Sequence, residues 1–116
     1  VQVITIEDAL FSRYRRGTDF IQRYVFPGGM LPAPSVFRER AEERGLAVAD
    51  EYRFGQDYAH TLSLWVTRFD AQLPAVRALG FGDDFIRLWR FYLAYCEAAF
   101  RAGSTDVCHF TLEHAA

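Results

Sequence analysis

Three short segments with strand character stand far apart in this chain, and only helical patterning lies between them. Gln2–Ile6 (QVITI) is β-branched and apolar; residues 46–54 and 106–112 read as a second and a third strand, the last with Cys108, Phe110 and Leu112 on alternate positions. The order is β-α-α-β-α-α-β, with about five helical segments in all, which argues for an α/β sheet. Three strands make the edge of such a sheet rather than a whole one, and strands this apolar need a partner on both sides. The chain begins at Val1, without an initiator methionine, and is in a strand almost at once. It therefore reads as the C-terminal end of an α/β domain whose first half lies outside it.

The helices between the strands have distinct patterns. Thr18 is placed to cap a helix running to about Val25, after which Phe26-Pro-Gly-Gly-Met-Leu-Pro32 breaks all periodicity and fixes a tight turn. Pro34 opens a helix that Gly45 ends, with Arg38, Glu39, Arg40, Glu42, Glu43 and Arg44 on its charged face. Asp57 is a candidate cap for a long helix in which Tyr58, Leu62, Trp65 and Phe69 share one stripe, and Pro74 kinks or restarts it. The last helix runs from Asp84 to about Ala102. It turns Phe85, Leu88, Trp89, Tyr92, Cys96, Ala99 and Phe100 inward, and Glu97 is spaced to pair with Arg101.

Charge and composition exclude several functions. A net charge of −2 lacks the basic excess of a nucleic-acid binder. No run of about 18 apolar residues exists to span a membrane, and the first residues do not resemble a signal peptide. Two cysteines without CxxC spacing fit a reducing cytoplasm. His60, His109 and His114 have no partners at metal-ligand spacing, so no metal site is expected. All thirteen basic residues are arginine. Arg13, Arg15 and Arg16 cluster either as a solvated face or as a contact for anionic lipid head groups.

No short motif names a reaction: GxGxxG, GxxxxGK[ST], GxSxG and HExxH are all missing. Three longer blocks carry more. They are Phe26-Pro-Gly-Gly-Met-Leu-Pro32; Phe54-Gly-Gln-Asp-Tyr-Ala-His-Thr-Leu62 followed by Trp65 and Phe69; and Tyr92-Leu-Ala-Tyr-Cys-Glu-Ala-Ala-Phe-Arg101 followed by Asp106. In order and spacing they resemble the C-terminal part of the cyclopropane-fatty-acyl-phospholipid synthase family, which includes the mycolic acid cyclopropane synthases.

The resemblance implies a class I, Rossmann-like methyltransferase fold to which residues 1–116 contribute the fifth, sixth and seventh strands and the lipid-pocket helices. It implies a methyl transfer from S-adenosylmethionine to the cis double bond of a phospholipid acyl chain, in lipid biosynthesis. A bound bicarbonate then takes a proton from the carbocation and closes the ring. The cofactor would be held mainly by the absent N-terminal half, so the chain alone is expected to be inactive. By position, Tyr58 resembles the tyrosine that hydrogen-bonds bicarbonate, and the Ile6 main chain a second contact. Phe26, Leu62 and Cys96 resemble residues that line the acyl channel. The family typically has His-Thr-Ile where this chain has Ile4-Thr5-Ile6. That change removes an anion contact and makes a methyl-branched or methylene product an alternative to cyclopropane. The implied setting is cytoplasmic and peripheral to the inner face of the membrane, with open strand edges that would favour a homodimer. Residues alone leave a rival, a non-catalytic helical module that binds lipid or protein through the aromatic faces of the last two helices.

Overall fold

A computed structural model describes residues 1–116. Three strands, β1 (Gln2–Ile6), β2 (Leu46–Arg53) and β3 (Thr105–His114), form one sheet in the order β1-β3-β2. Both outer strands run antiparallel to β3, with Ile4 opposite Val107 and Glu51 opposite Phe110. Six helices separate them: α1 (Asp8–Tyr14), α2 (Phe20–Tyr24) and α3 (Pro34–Glu42) before β2, then α4 (Gly55–Ala71), α5 (Leu73–Ala78) and α6 (Asp83–Ala102). The α/β class stands, with one helix more than the periodicity suggested. The extra helix is α1, seven residues long, too short to show a period. None of the helices is long and apolar enough to cross a membrane.

Side chains alternate across β3 and give the sheet two different faces. Thr105 and Val107 face α4 and α6, where Ala59, Leu62, Leu93, Phe100 and Val107 pack as one core. On the other face Phe110 is 1% exposed and stacks on Phe37 of α3, ring centroids 4.3 Å apart. Thr5 and Cys108 lie buried together, oxygen to sulfur 3.6 Å. The helix α3 adds an ion pair from Arg38 to Glu51 of β2. Strand β2 is exposed over much of its length and bulges between Val48 and Asp50, so the expectation that every strand is covered on both sides fails there.

Two caps differ from the local reading. Asp19, not Thr18, caps α2: its carboxylate accepts from the Gln22 N–H at 2.8 Å, and the Gln22 side chain accepts from the Asp19 N–H at 3.0 Å. The long helix α4 starts at Gly55, two residues before Asp57. Its first N–H is satisfied by the carboxylate of Asp106 on β3, at 2.8 Å across a separation of 51 residues. A tertiary partner thus replaces the local cap, which sequence spacing does not reveal. A Cβ at Gly55 would meet the Asp106 carboxylate and lie 3.2 Å from the Asp106 Cα. Gly55→Ala is therefore expected to destabilise the fold by about 1–3 kcal/mol, despite alanine's better helix propensity, and a melting curve checks it.

On α6, Glu97 pairs with Arg101 at 2.9 Å, and Gly103 ends the helix in the left-handed region at φ 77°. The deepest residues of that helix are Ile86, Leu93 and Phe100. Phe85, Leu88, Trp89, Tyr92, Cys96 and Ala99 are only half-buried. Trp65 on α4 is 42% exposed. The aromatic stripe therefore does not fill the core; much of it borders open space.

Candidate functional site

That space is an apolar cavity of about 470 Å3 between β1, the α1–α2 segment, α4 and α6. Seventeen of its twenty lining residues are hydrophobic, the composition expected of a site for a greasy ligand. Ile4 and Ile6 reach it because alternate residues of β1 share a face, and Thr5 turns away to Cys108. Tyr58, Leu62 and Trp65 come from one side of α4, and Trp89, Tyr92, Cys96 and Ala99 from one side of α6.

Turn chemistry brings in the fourth wall. Gly28 takes φ 81°, which a side chain would resist, and the Gly29 N–H donates to Phe26 O at 3.1 Å. The Leu31 N–H donates to the Tyr14 hydroxyl at 2.9 Å. Phe26 and Leu31 are thereby set at the cavity.

All five residues singled out by resemblance, Ile6, Phe26, Tyr58, Leu62 and Cys96, lie around this one space. Their depths differ. Leu62 and Ile6 are 3% and 8% exposed, whereas Phe26 is 56% exposed and stands at the rim with its ring 6.1 Å from Tyr92. Tyr58 is held edge-on by Phe100 at 5.0 Å and Trp65 at 5.9 Å. Burial, then the neighbouring Cys96, raises its phenol above the ordinary range, so it is a neutral donor at pH 7. Burial likewise raises the Cys96 thiol and pushes Tyr92 up to about 12. A thiol so raised is not a nucleophile at neutral pH; Cys96 serves as wall.

The Ile6 main chain has its donor engaged within the fold. Its N–H donates to Pro32 O at 3.0 Å. With Ile4 lacking any side-chain donor and the Ile6 N–H engaged, the Tyr58 hydroxyl is the one of the three anion contacts that residues 1–116 leave free.

Resemblance did not point to Tyr14, Asp19 or Tyr95. Asp19 is the one carboxylate in the lining, and after burial its charge helps raise Tyr14, Tyr95 and Cys96. The capping-box pair Asp19 and Gln22 was a signal for its position, though not for its facing a cavity. Thr105 Oγ1, also in the lining, is buried without a hydrogen-bond partner.

Comparison with known proteins places this architecture. A family model described as mycolic acid cyclopropane synthetase matches residues 1–110. Tuberculostearic acid methyltransferase UfaA1 of Mycobacterium tuberculosis is 38% identical over 113 residues, 97% of this chain and 26% of that protein. Cyclopropane-fatty-acyl-phospholipid synthase of Escherichia coli K12 is 36% identical over 83 residues, 72% of this chain and 21% of that protein. The crystal structure of mycolic acid cyclopropane synthase CmaA1, complexed with SAH and CTAB, superposes with a TM-score of 0.82 at 28% identity, over 96% of this chain and 42% of that one. The chain thus spans about a quarter of the length of these curated relatives. It belongs to the mycolic acid cyclopropane synthetase family.

Proposed function

We propose that residues 1–116 are the C-terminal segment of an S-adenosylmethionine-dependent methyltransferase that alkylates unsaturated acyl chains of phospholipids, working in the cytoplasm at the inner face of the membrane. The observation that carries this reading is the convergence of Ile6, Phe26, Tyr58, Leu62 and Cys96 on one apolar cavity. S-adenosylmethionine supplies an electrophilic methyl group in such a reaction. The residues of this chain act on the acceptor's side. Leu62, Ile6 and Cys96 exclude water around the acyl chain. An alkene carbon that gains a methyl leaves positive charge on its neighbour, and the faces of Tyr58, Trp89 and Tyr92 lining the cavity attract it by about 0.5–2 kcal/mol.

With the Ile4 side chain inert and the Ile6 N–H engaged by Pro32, residues 1–116 offer a ring-closing anion the Tyr58 hydroxyl alone. The reading that follows is a methylene product, formed when the hydrogen on the methylated carbon shifts to the cationic carbon and the added methyl loses a proton to water, or a methyl-branched one where a hydride donor such as a reduced nicotinamide then reduces that double bond. The Mycobacterium tuberculosis relative, a methyltransferase by name, is in keeping with it. Mass spectrometry of lipids from cells making the full-length protein should show one added carbon per modified acyl chain; unchanged lipids would overturn the function. Proton NMR of the same lipids should lack the upfield signals of cyclopropane ring protons. Ile4→His restores one donor to the cavity and is expected to make those signals appear as a minor fraction.

A further inference from the structure

The start of α4 is tied down at three consecutive residues, just before Tyr58. The Phe54 N–H donates to Val107 O at 2.9 Å, the Gly55 N–H to the Asp106 carboxylate at 2.8 Å, and Gln56 Nε2 to Phe100 O at 2.8 Å. The first two bonds join α4 to β3. The third joins it to the last turn of α6, where helix carbonyls lack partners within their own helix. Gln56 Nε2 also lies 3.4 Å from Arg101 O, the next carbonyl of that turn.

Gln56 is exposed, yet its amide turns back onto a residue that is 4% exposed. That residue, Phe100, is the one whose ring stands edge-on to Tyr58, the planes at 82°. Gln56 and Tyr58, two positions apart on α4, therefore hold the same partner, one by its carbonyl and the other by its ring. Phe100 and Tyr58 line the cavity and Gln56 does not. The Tyr58 N–H is spent on Phe54 O at 3.0 Å, and no hydrogen bond within the chain directs the Tyr58 hydroxyl. Its direction is set by the rings of Phe100 and Trp65.

We propose that Gln56 is a positioning residue for the methyl transfer: its hold on the Phe100 carbonyl keeps the Phe100 ring against Tyr58 and so keeps the Tyr58 hydroxyl aimed into the cavity. A neutral amide suits the task, since it donates to the negative end of α6 without carrying a charge of its own. This rests on the reading that Tyr58 takes part in the reaction, but the setting of its ring is measured without turnover.

The test uses the full-length protein. Gln56→Met keeps the length of the side chain and removes the donor. Turnover of an unsaturated phospholipid should fall about tenfold with KM unchanged, because a slight misplacement of a reacting-site group costs on that order while no acyl contact is altered. Gln56→Lys returns a donor to the helix-end carbonyl and should recover most of the loss. In the Tyr58→Phe background Gln56→Met should cost nothing further, because the hydroxyl through which it acts is gone. Full turnover in Gln56→Met, a fresh tenfold loss on top of Tyr58→Phe, or no recovery with lysine overturns the proposal. Carbon-13 labelling of tyrosine adds a readout that needs no substrate. The Tyr58 ring signal, assigned by its loss in Tyr58→Phe, should shift in Gln56→Met and return in Gln56→Lys; an unmoved signal overturns the proposal as well. A wild type inactive on phospholipid whose Tyr58 signal still follows Gln56 would refute the reaction and leave the positioning standing.

Discussion

Tyr58→Phe in the full-length protein should lower turnover by about a hundredfold, the usual cost of removing one oriented donor from a reacting site, and leave folding almost untouched. The reason for the split is local. The Tyr58 ring is fixed by Phe100 and Trp65, contacts that phenylalanine keeps. Its hydroxyl has no partner within the chain that the fold would lose, and only burial and Cys96 act on it. The melting temperature should therefore move by the equivalent of about 0.5 kcal/mol or less. Single-turnover rates with an unsaturated phospholipid, set beside a thermal melt, check both halves. Undiminished turnover would remove Tyr58 from the chemistry and leave it as wall.

Phe110→Ala should do the reverse. Phe110 is 1% exposed and stacked on Phe37, on the sheet face away from the cavity. Truncating a buried phenylalanine costs about 3–5 kcal/mol in lost burial and residual cavity, which lowers the melting point by about 10 °C. Neither Phe37 nor Phe110 lines the cavity, so the Michaelis constant and turnover measured well below the melt should stay near wild type. A variant that melts normally would mean that α3 is held by its charges and not by its aromatic contact.

The two sites also show what a sequence carries and what it hides. The strands were legible because β-branched runs and alternation are local patterns. Pro34, Gly45 and Gly103 marked helix ends for the same reason. The start of α4 was not, because the group that caps Gly55 sits on β3, far along the chain. Nor was the division of the aromatic residues of α6. Ile86, Leu93 and Phe100 recur every seven residues and are the most deeply buried, while Trp89, Tyr92, Cys96 and Ala99 follow an equally good helical stripe along the cavity. Periodicity gives a face; it does not say whether that face meets protein or empty space. Five of the cavity's residues were recognisable through their resemblance to a family, whereas Tyr14 lies on a helix too short to have a readable period and Asp19 caps a helix whose start was assigned to Thr18. The Ile6 N–H shows the limit of such carrying-over, since its bond to Pro32 is invisible in any motif.

The strand order has a consequence for how the polypeptide matures. β3 lies between β1 and β2, and it is the last of the three to leave the ribosome. Until it emerges, β1 and β2 have no partner strand within residues 1–116, and α4 lacks the carboxylate that closes its first turn. Assembly of this region thus rests on long-range pairings, which are slow to form. In that interval two unpaired strands and an uncovered aromatic helix are open to wrong partners, and chaperone demand should fall on nascent chains halted before residue 105.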